Sequence, residues 1–168
     1  MTRIGTVAFI CGVLAAAPAL AANAPRVSVT SLSDISVPDR PYDESADANA
    51  AVANAFARAK AEHKRVLIDL GGNWCADCRI LAGVMALPEV QRFVDAHYVV
   101  VSVDVGRFNR NLQIPARFGI TQRLEGVPSV LIATPDGTLV DSGHVAALAD
   151  ARSMTPQAIA DWLAQWAG

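Results

Sequence analysis

One feature constrains the fold of this chain more than any other: a short apolar run that ends at a cysteine pair and then gives way to a helical pattern. Residues 66–70, VLIDL, read as a strand buried on both faces. GGNWCADC follows, and beyond it Ile80, Leu81, Val84 and Met85 recur at helical spacing. Pro88 opens a second helical piece with Val90, Phe93 and Val94 inward, and HYVVVSVDV, residues 97–105, is a second buried strand. Strand, helix and strand in that order close a right-handed crossover between parallel strands. Cys75 and Cys78 therefore fall where the first strand turns into a helix.

The rest of the chain fits around that unit. Residues 25–44 hold three prolines and little periodicity, and read as a linker or leading arm with one short strand at Val27–Thr30 or Ile35–Val37. From Ser45 to His63 an alanine-rich stretch carries Val52, Ala53, Phe56 and Ala59 along one face, with acids at its start and bases at its end, the order a helix dipole favours. A short helix is expected around Ile114–Phe118, ending at Gly119. VPSVLIAT and GTLVDS flank Pro135-Asp136-Gly137 as a hairpin, and Thr155-Pro156 opens a last helix with Ile159, Trp162, Leu163 and Trp166 on one face.

The cysteine count depends on the N-terminus. MTRIGTVAFICGVLAAAPALAANA has one early positive charge, an apolar stretch and small residues near Ala21, Ala22 and Ala24, the layout of a cleaved secretory signal over residues 1–24. An uncleaved anchor is disfavoured by Gly12 and Pro18, and a lipoprotein at Cys11 by the bulky Ile10 before it. Cleavage removes Arg3 and Cys11. What remains, residues 25–168, has the size of one domain, two cysteines and no basic block, so nucleic acid is not an expected partner. Export also places the pair in an oxidising compartment, where a disulfide persists.

Three uses of such a pair compete. A staple across so short a gap would stabilise little, because the chain-entropy gain grows with loop length. A structural zinc site needs four ligands, and His63, His97 and His144 stand singly without ligand spacing, so no metal is expected. Redox chemistry remains, and a C-x-x-C at this point of a strand–helix–strand pattern is its signature.

With Asp69 six positions before Cys75, the WCADC box, ARFGI at 116–120 and GVPSV at 126–130, the chain from Val66 to Val140 resembles the thioredoxin superfamily. It is similar to exported single-domain thioredoxin-like proteins and to the C-terminal thioredoxin-like domain of the membrane disulfide reductase DsbD, on VLIDLGGNWCADC and LPEVQRF. The resemblance implies an α/β, thioredoxin-like fold over residues 45–168, a central mixed sheet of four to five strands flanked by helices. It also implies a cis peptide bond at Val127-Pro128, which leaves the Val127 backbone free to pair with an extended substrate.

The residues make chemical sense beside that resemblance. Cys75 at a helix N-terminus would be favoured as the thiolate nucleophile, and Cys78 would resolve the mixed disulfide. Asp69, costly to bury as an anion, would accept the Cys78 proton with its pKa raised by burial. Trp74 would shield the pair and offer an apolar docking surface. Ala76 and Asp77 lie between the cysteines as redox-tuning positions, with Asp77 expected to oppose the Cys75 thiolate. Arg107, Arg110, Arg117 and Arg123 are expected to be solvated, and residues 120–125 to reshape the substrate rim.

The expectation is a periplasmic thiol–disulfide oxidoreductase that reduces protein disulfides. There is no nicotinamide or flavin motif and no cofactor is called for. Electrons would come from another redox protein, by resemblance a membrane disulfide reductase, and the chain would meet the membrane only through its signal. The alternatives are a disulfide oxidase or isomerase, and a redox-coupled metal or haem-assembly chaperone.

Overall fold

A computed structural model describes residues 22–168. The expected signal and Cys11 lie outside these residues, save for the last three positions of the signal. Among the described residues no helix is long and apolar enough to cross a membrane.

The element order is α1 (Ala48–Glu62), β1 (Arg65–Gly71), α2 (Ala76–Met85), α3 (Pro88–His97), β2 (Tyr98–Asp104), α4 (Gln113–Ala116), β3 (Ser129–Ala133) and α5 (Pro156–Gln165). The starts of α1, α3 and α5 have local causes. The Asp47 carboxylate caps α1 by accepting from the Asn49 and Ala50 N–H groups, Pro88 and Pro156 occupy first turns, and the Thr155 hydroxyl caps α5. His63 ends α1 in the left-handed region, at φ 55°.

β1 is the centre of the sheet, parallel to β2 and antiparallel to β3. Buried on both sides, it needs the near-continuous apolar run that the sequence displays. Val66, Ile68 and Leu70 face α1 with Val52, Ala55 and Ala59, whereas Leu67 faces Leu81 and Val84 of α2 and Ile159 and Leu163 of α5. Asp69, two positions on from Leu67, shares the α2 face.

Three strands form among the described residues, rather than four to five. The second arm of the expected hairpin is reduced to a bridge at Ala133–Leu139 with hydrogen bonds at Thr134 and Val140. The reason lies at Asp141. Its buried carboxylate, and not a backbone carbonyl, accepts the Ile132 N–H at 3.0 Å, and the Val130 N–H goes on to the Val145 carbonyl. The chain between these two points leaves the ladder, so β3 is satisfied without a regular neighbour.

Residues 25–44 form no strand. They carry one 3-10 turn at Leu32–Asp34, and Val27, Val29, Leu32, Ile35 and Val37 pack against the α2–α5 side of the core. Polar contacts hold the segment in place: the Val27 N–H donates to Gln157 and the Ser28 N–H to Glu89. The arm ends with Tyr42 buried beside the start of α2.

Candidate active site

Cys75 and Cys78 are joined by a disulfide with their Cα atoms 5.3 Å apart. Cys75 is the N-cap of α2, and its Sγ accepts the Cys78 N–H at 3.1 Å. A sulfur there meets unpaired N–H groups and the positive end of the helix dipole, which favours a thiolate. Asn73 fixes the preceding loop by exchanging hydrogen bonds with the Tyr42 backbone. On its outer side the Cys75 Sγ lies 3.3 Å from the Val127 carbonyl oxygen, and the Val127–Pro128 bond is cis. Cys75 lines an open cleft of about 480 Å³ together with Trp74, Ala76, Phe108, Val127 and Arg152. Cys78 is 0 % exposed and lies behind Cys75.

Behind Cys78 stands Asp69, 1 % exposed. Burial pushes its carboxyl up to about 7, and a hydrogen bond from Tyr42 opposes this only in part. The Tyr42 hydroxyl donates to Asp69 Oδ2 at 2.8 Å, while Oδ1 has no partner among the described residues. Burial, then the charge of Asp69, holds the Tyr42 phenol well above its usual range. The three groups meet at Gly71. A Cβ there would collide with Tyr42 Oη and come within 2.8 Å of Cys78 Sγ, so only glycine leaves room for phenol and thiol together. The β2 residue opposite Asp69 is Ser102, and no lysine assists from that strand.

The site residues read from the sequence thus gather around one sulfur pair, with two departures. Asp77 is 3 % exposed and does not stand as a bare charge against Cys75. Its carboxylate accepts from the Arg152 N–H at 2.9 Å and from the Arg152 guanidinium, Nε lying 2.9 and 3.0 Å from its two oxygens. Burial alone would raise the Asp77 carboxyl, but these hydrogen bonds outweigh it and hold it below the usual range. The simple repulsion expected of Asp77 is therefore compensated. The arginines are not merely solvated either. Arg107 lies over the Trp74 ring at 4.8 Å, Arg123 over Phe108 at 4.5 Å, and Arg110 pairs with buried Asp104 at 2.9 Å. Trp74, 43 % exposed, donates from Nε1 to the Gly106 carbonyl and meets Phe108 edge to face.

Sequence reasoning missed Tyr42, Arg152 and Phe108. Phe108 carried a faint signal, an aromatic between two arginines in a polar stretch. The other two carried none. No group of three or more His, Cys, Asp or Glu side chains that could hold a metal occurs among the described residues.

Residues 47–135 match the thioredoxin-like family, and the chain belongs to that family. A disulphide isomerase from Xylella fastidiosa Temecula1, of known crystal structure, is 38% identical over 74% of this chain and 94% of its own, with a TM-score of 0.68. Two distant structures also align, both at a TM-score of 0.39. A DsbH oxidoreductase is 20% identical over 52% of this chain and 65% of its own. A protein of unknown function from Pseudomonas aeruginosa is 22% identical over 69% and 81%. Neither bears on function at that distance. No curated protein matches. Fold, family and a disulfide-forming C-x-x-C pair at the head of α2 define a thiol–disulfide oxidoreductase. Tyr42 and Arg152 both lie outside the family match.

Proposed function

We propose that this chain is exported and reduces disulfides in other proteins, drawing its electrons from a partner dithiol protein such as a membrane disulfide reductase. The observation that carries the reading is the placement of Cys75 Sγ at the α2 N-terminus, facing the cleft, with buried Cys78 backed by Asp69 and Tyr42.

The steps follow from that placement. The Cys75 thiolate attacks a substrate disulfide; one Cys75–substrate S–S bond forms, and the other substrate sulfur leaves as a thiolate. Ionised Asp69 then takes the Cys78 proton, with Tyr42 holding the carboxylate in place. Cys78 attacks Cys75 Sγ, the substrate departs with both its sulfurs reduced, and the Cys75–Cys78 disulfide remains. Two electrons from the donor dithiol reset the pair. Trp74 and the Val127 backbone offer the docking surface.

The direction is supported by what surrounds Cys75. A strong oxidant owes its potential to a stabilised reduced form. Cys75 Sγ accepts from the Cys78 N–H and lies 3.3 Å from the Val127 carbonyl oxygen, and the nearby Arg152 is engaged by Asp77. One donor and one opposing carbonyl stabilise a thiolate modestly. Export is supported by the signal-like layout of residues 1–24.

A second reading, isomerase, is favoured by the 38% identical relative described as a disulphide isomerase. Equilibration of the purified pair with glutathione separates the readings, run beside insulin reduction and scrambled ribonuclease reactivation. A potential close to that of thioredoxin, about −270 mV, with insulin turnover is the expected outcome. A potential close to −120 mV, or reactivation without net reduction, would overturn the reductase reading.

A further inference from the structure

The charges of this chain are unevenly spread. Over the whole sequence 14 basic residues face 16 acidic ones, yet residues 105–124, joining β2 to β3, hold four arginines and no acid. Two of the four have polar partners: Arg110 pairs with Asp104, and Arg117 donates to Asn49 Oδ1. Arg107 and Arg123 instead lie on the Trp74 and Phe108 rings, whose centroids are 6.2 Å apart. Trp74 and Phe108 line the cleft that holds Cys75, and Arg107 and Arg123, stacked on these two rings, border it from the neighbouring hollow.

Neither of these guanidiniums is ion-paired among the described residues. The carboxylates near the pair do not offset them, because Asp77 is matched by Arg152 and Asp104 by Arg110. Exposed Glu125, which lines a hollow with Arg123, leaves the rim at two positive charges to one negative. Across the cleft Arg152 is shared by Asp77 and exposed Asp150, so the positive excess is confined to the Arg107–Arg123 edge, in a chain that is acidic as a whole.

We infer that this rim selects substrates by charge: the polypeptide segment carrying the reacting cysteine presents Asp or Glu beside it, received by Arg107 and Arg123. The inference rests on the thiol–disulfide reading above and holds for either direction of electron flow. A guanidinium laid on an aromatic face keeps N–H groups turned outward and loses little freedom when a carboxylate arrives. Beyond the rim, Leu112, 39 % exposed, and Ile120 line a hollow of about 350 Å³ with Arg107, Phe108 and Arg123, apolar surface for the residues beside the acids. A basic segment would bring like charge against both arginines and be rejected.

Three peptide disulfides of one sequence, with Asp, Ser or Lys flanking the cysteines, put this to the test in single-turnover reactions with the reduced full chain, read by acid quench and chromatography. At about 20 mM salt the Asp peptide is expected to react at least fivefold faster than the Lys peptide, an effect within the range of electrostatic steering. The ratio should fall toward one at about 300 mM salt, where screening shortens to about 6 Å. The double variant R107Q/R123Q should lose the preference, whereas R107K/R123K, which keeps the charge, should retain most of it. Equal rates for the three peptides, or a preference that survives R107Q/R123Q, would overturn the charge selection alone. Failure of the wild type to react with any of them would overturn the oxidoreductase reading as well.

Discussion

Tyr42 Oη donates a 2.8 Å hydrogen bond to Asp69 Oδ2, joining a segment that precedes α1 to the middle of the central strand. The bond favours the ionised form of a carboxyl that burial otherwise pushes toward neutrality. Tyr42→Phe removes this support, so the Asp69 pKa should rise further above its value of about 7. The inflection of the pH–rate profile for disulfide turnover should move to higher pH, and the rate at neutrality should fall several-fold. Loss of a buried hydrogen bond should also lower stability by about 1–2 kcal/mol in denaturant titration. An inflection that stays in place would detach Tyr42 from the mechanism.

Asp69→Asn tests the carboxyl itself. Its folded pKa, about 7, is raised above the ordinary value of 3.8. The stabilisation it provides is therefore complete below the unfolded value and is lost as pH rises through the folded one. The oxidised wild type should weaken across that window relative to Asp69→Asn, by on the order of 3 kcal/mol between about pH 4 and pH 8. Asp141, pushed up to about 6 by burial, titrates in both proteins and cancels in the difference. The variant should also turn over slowly, without the acid limb of the wild-type profile. Parallel stability curves from pH 4 to 8 would show that Asp69 ionises normally.

What could be read from the sequence was what short segments encode. VLIDL, WCADC and the periodic helices each declare themselves within a few residues, so the strand–pair–helix unit and the positions around Cys75 were legible. Partnerships across the chain were not. Tyr42 reaches Asp69 over 27 positions, and Arg152 reaches Asp77 over 75. Neither carries a local pattern, which is why Asp77 read as a bare charge and residues 25–44 as a linker. The missing strand has the same origin, since nothing in GTLVDS shows that the Asp141 side chain replaces a backbone carbonyl.

Cys75, 4 % exposed, lines the cleft and Cys78 is 0 % exposed, and the proposed order of attack rests on that placement. On the proposed roles, Cys78→Ser keeps the nucleophile and removes the resolving thiol, so cell extract should yield slower bands on non-reducing gels that collapse on reduction. Cys75→Ser should yield few or none. If instead Cys75→Ser traps partners and Cys78→Ser does not, the roles are reversed.

Arg152 is expected to act on the cysteine pair through Asp77, with no contact of its own to the reacting sulfur. Its guanidinium and N–H hold the Asp77 carboxylate ionised, and in doing so neutralise a charge in the first turn of α2, within two residues of Cys75. Arg152→Ala leaves that carboxylate uncompensated. A thiolate forming nearby would then face like charge, at a cost on the order of 1 kcal/mol in a partly open site. The Cys75 thiolate, followed by its absorbance in the ultraviolet, should appear at higher pH than in the wild type. The couple should become more reducing by roughly 20 mV against glutathione. The variant should also lose a little stability, a modest loss because the Arg152 side chain is 60% exposed. Two effects are then superposed, loss of structure and gain of charge, and a second variant parts them. Asp77→Asn/Arg152→Ala removes both charges and should return the potential toward that of the wild type without restoring the lost stability. A potential that shifts equally in the single and double variants would mean that Arg152 acts by packing alone.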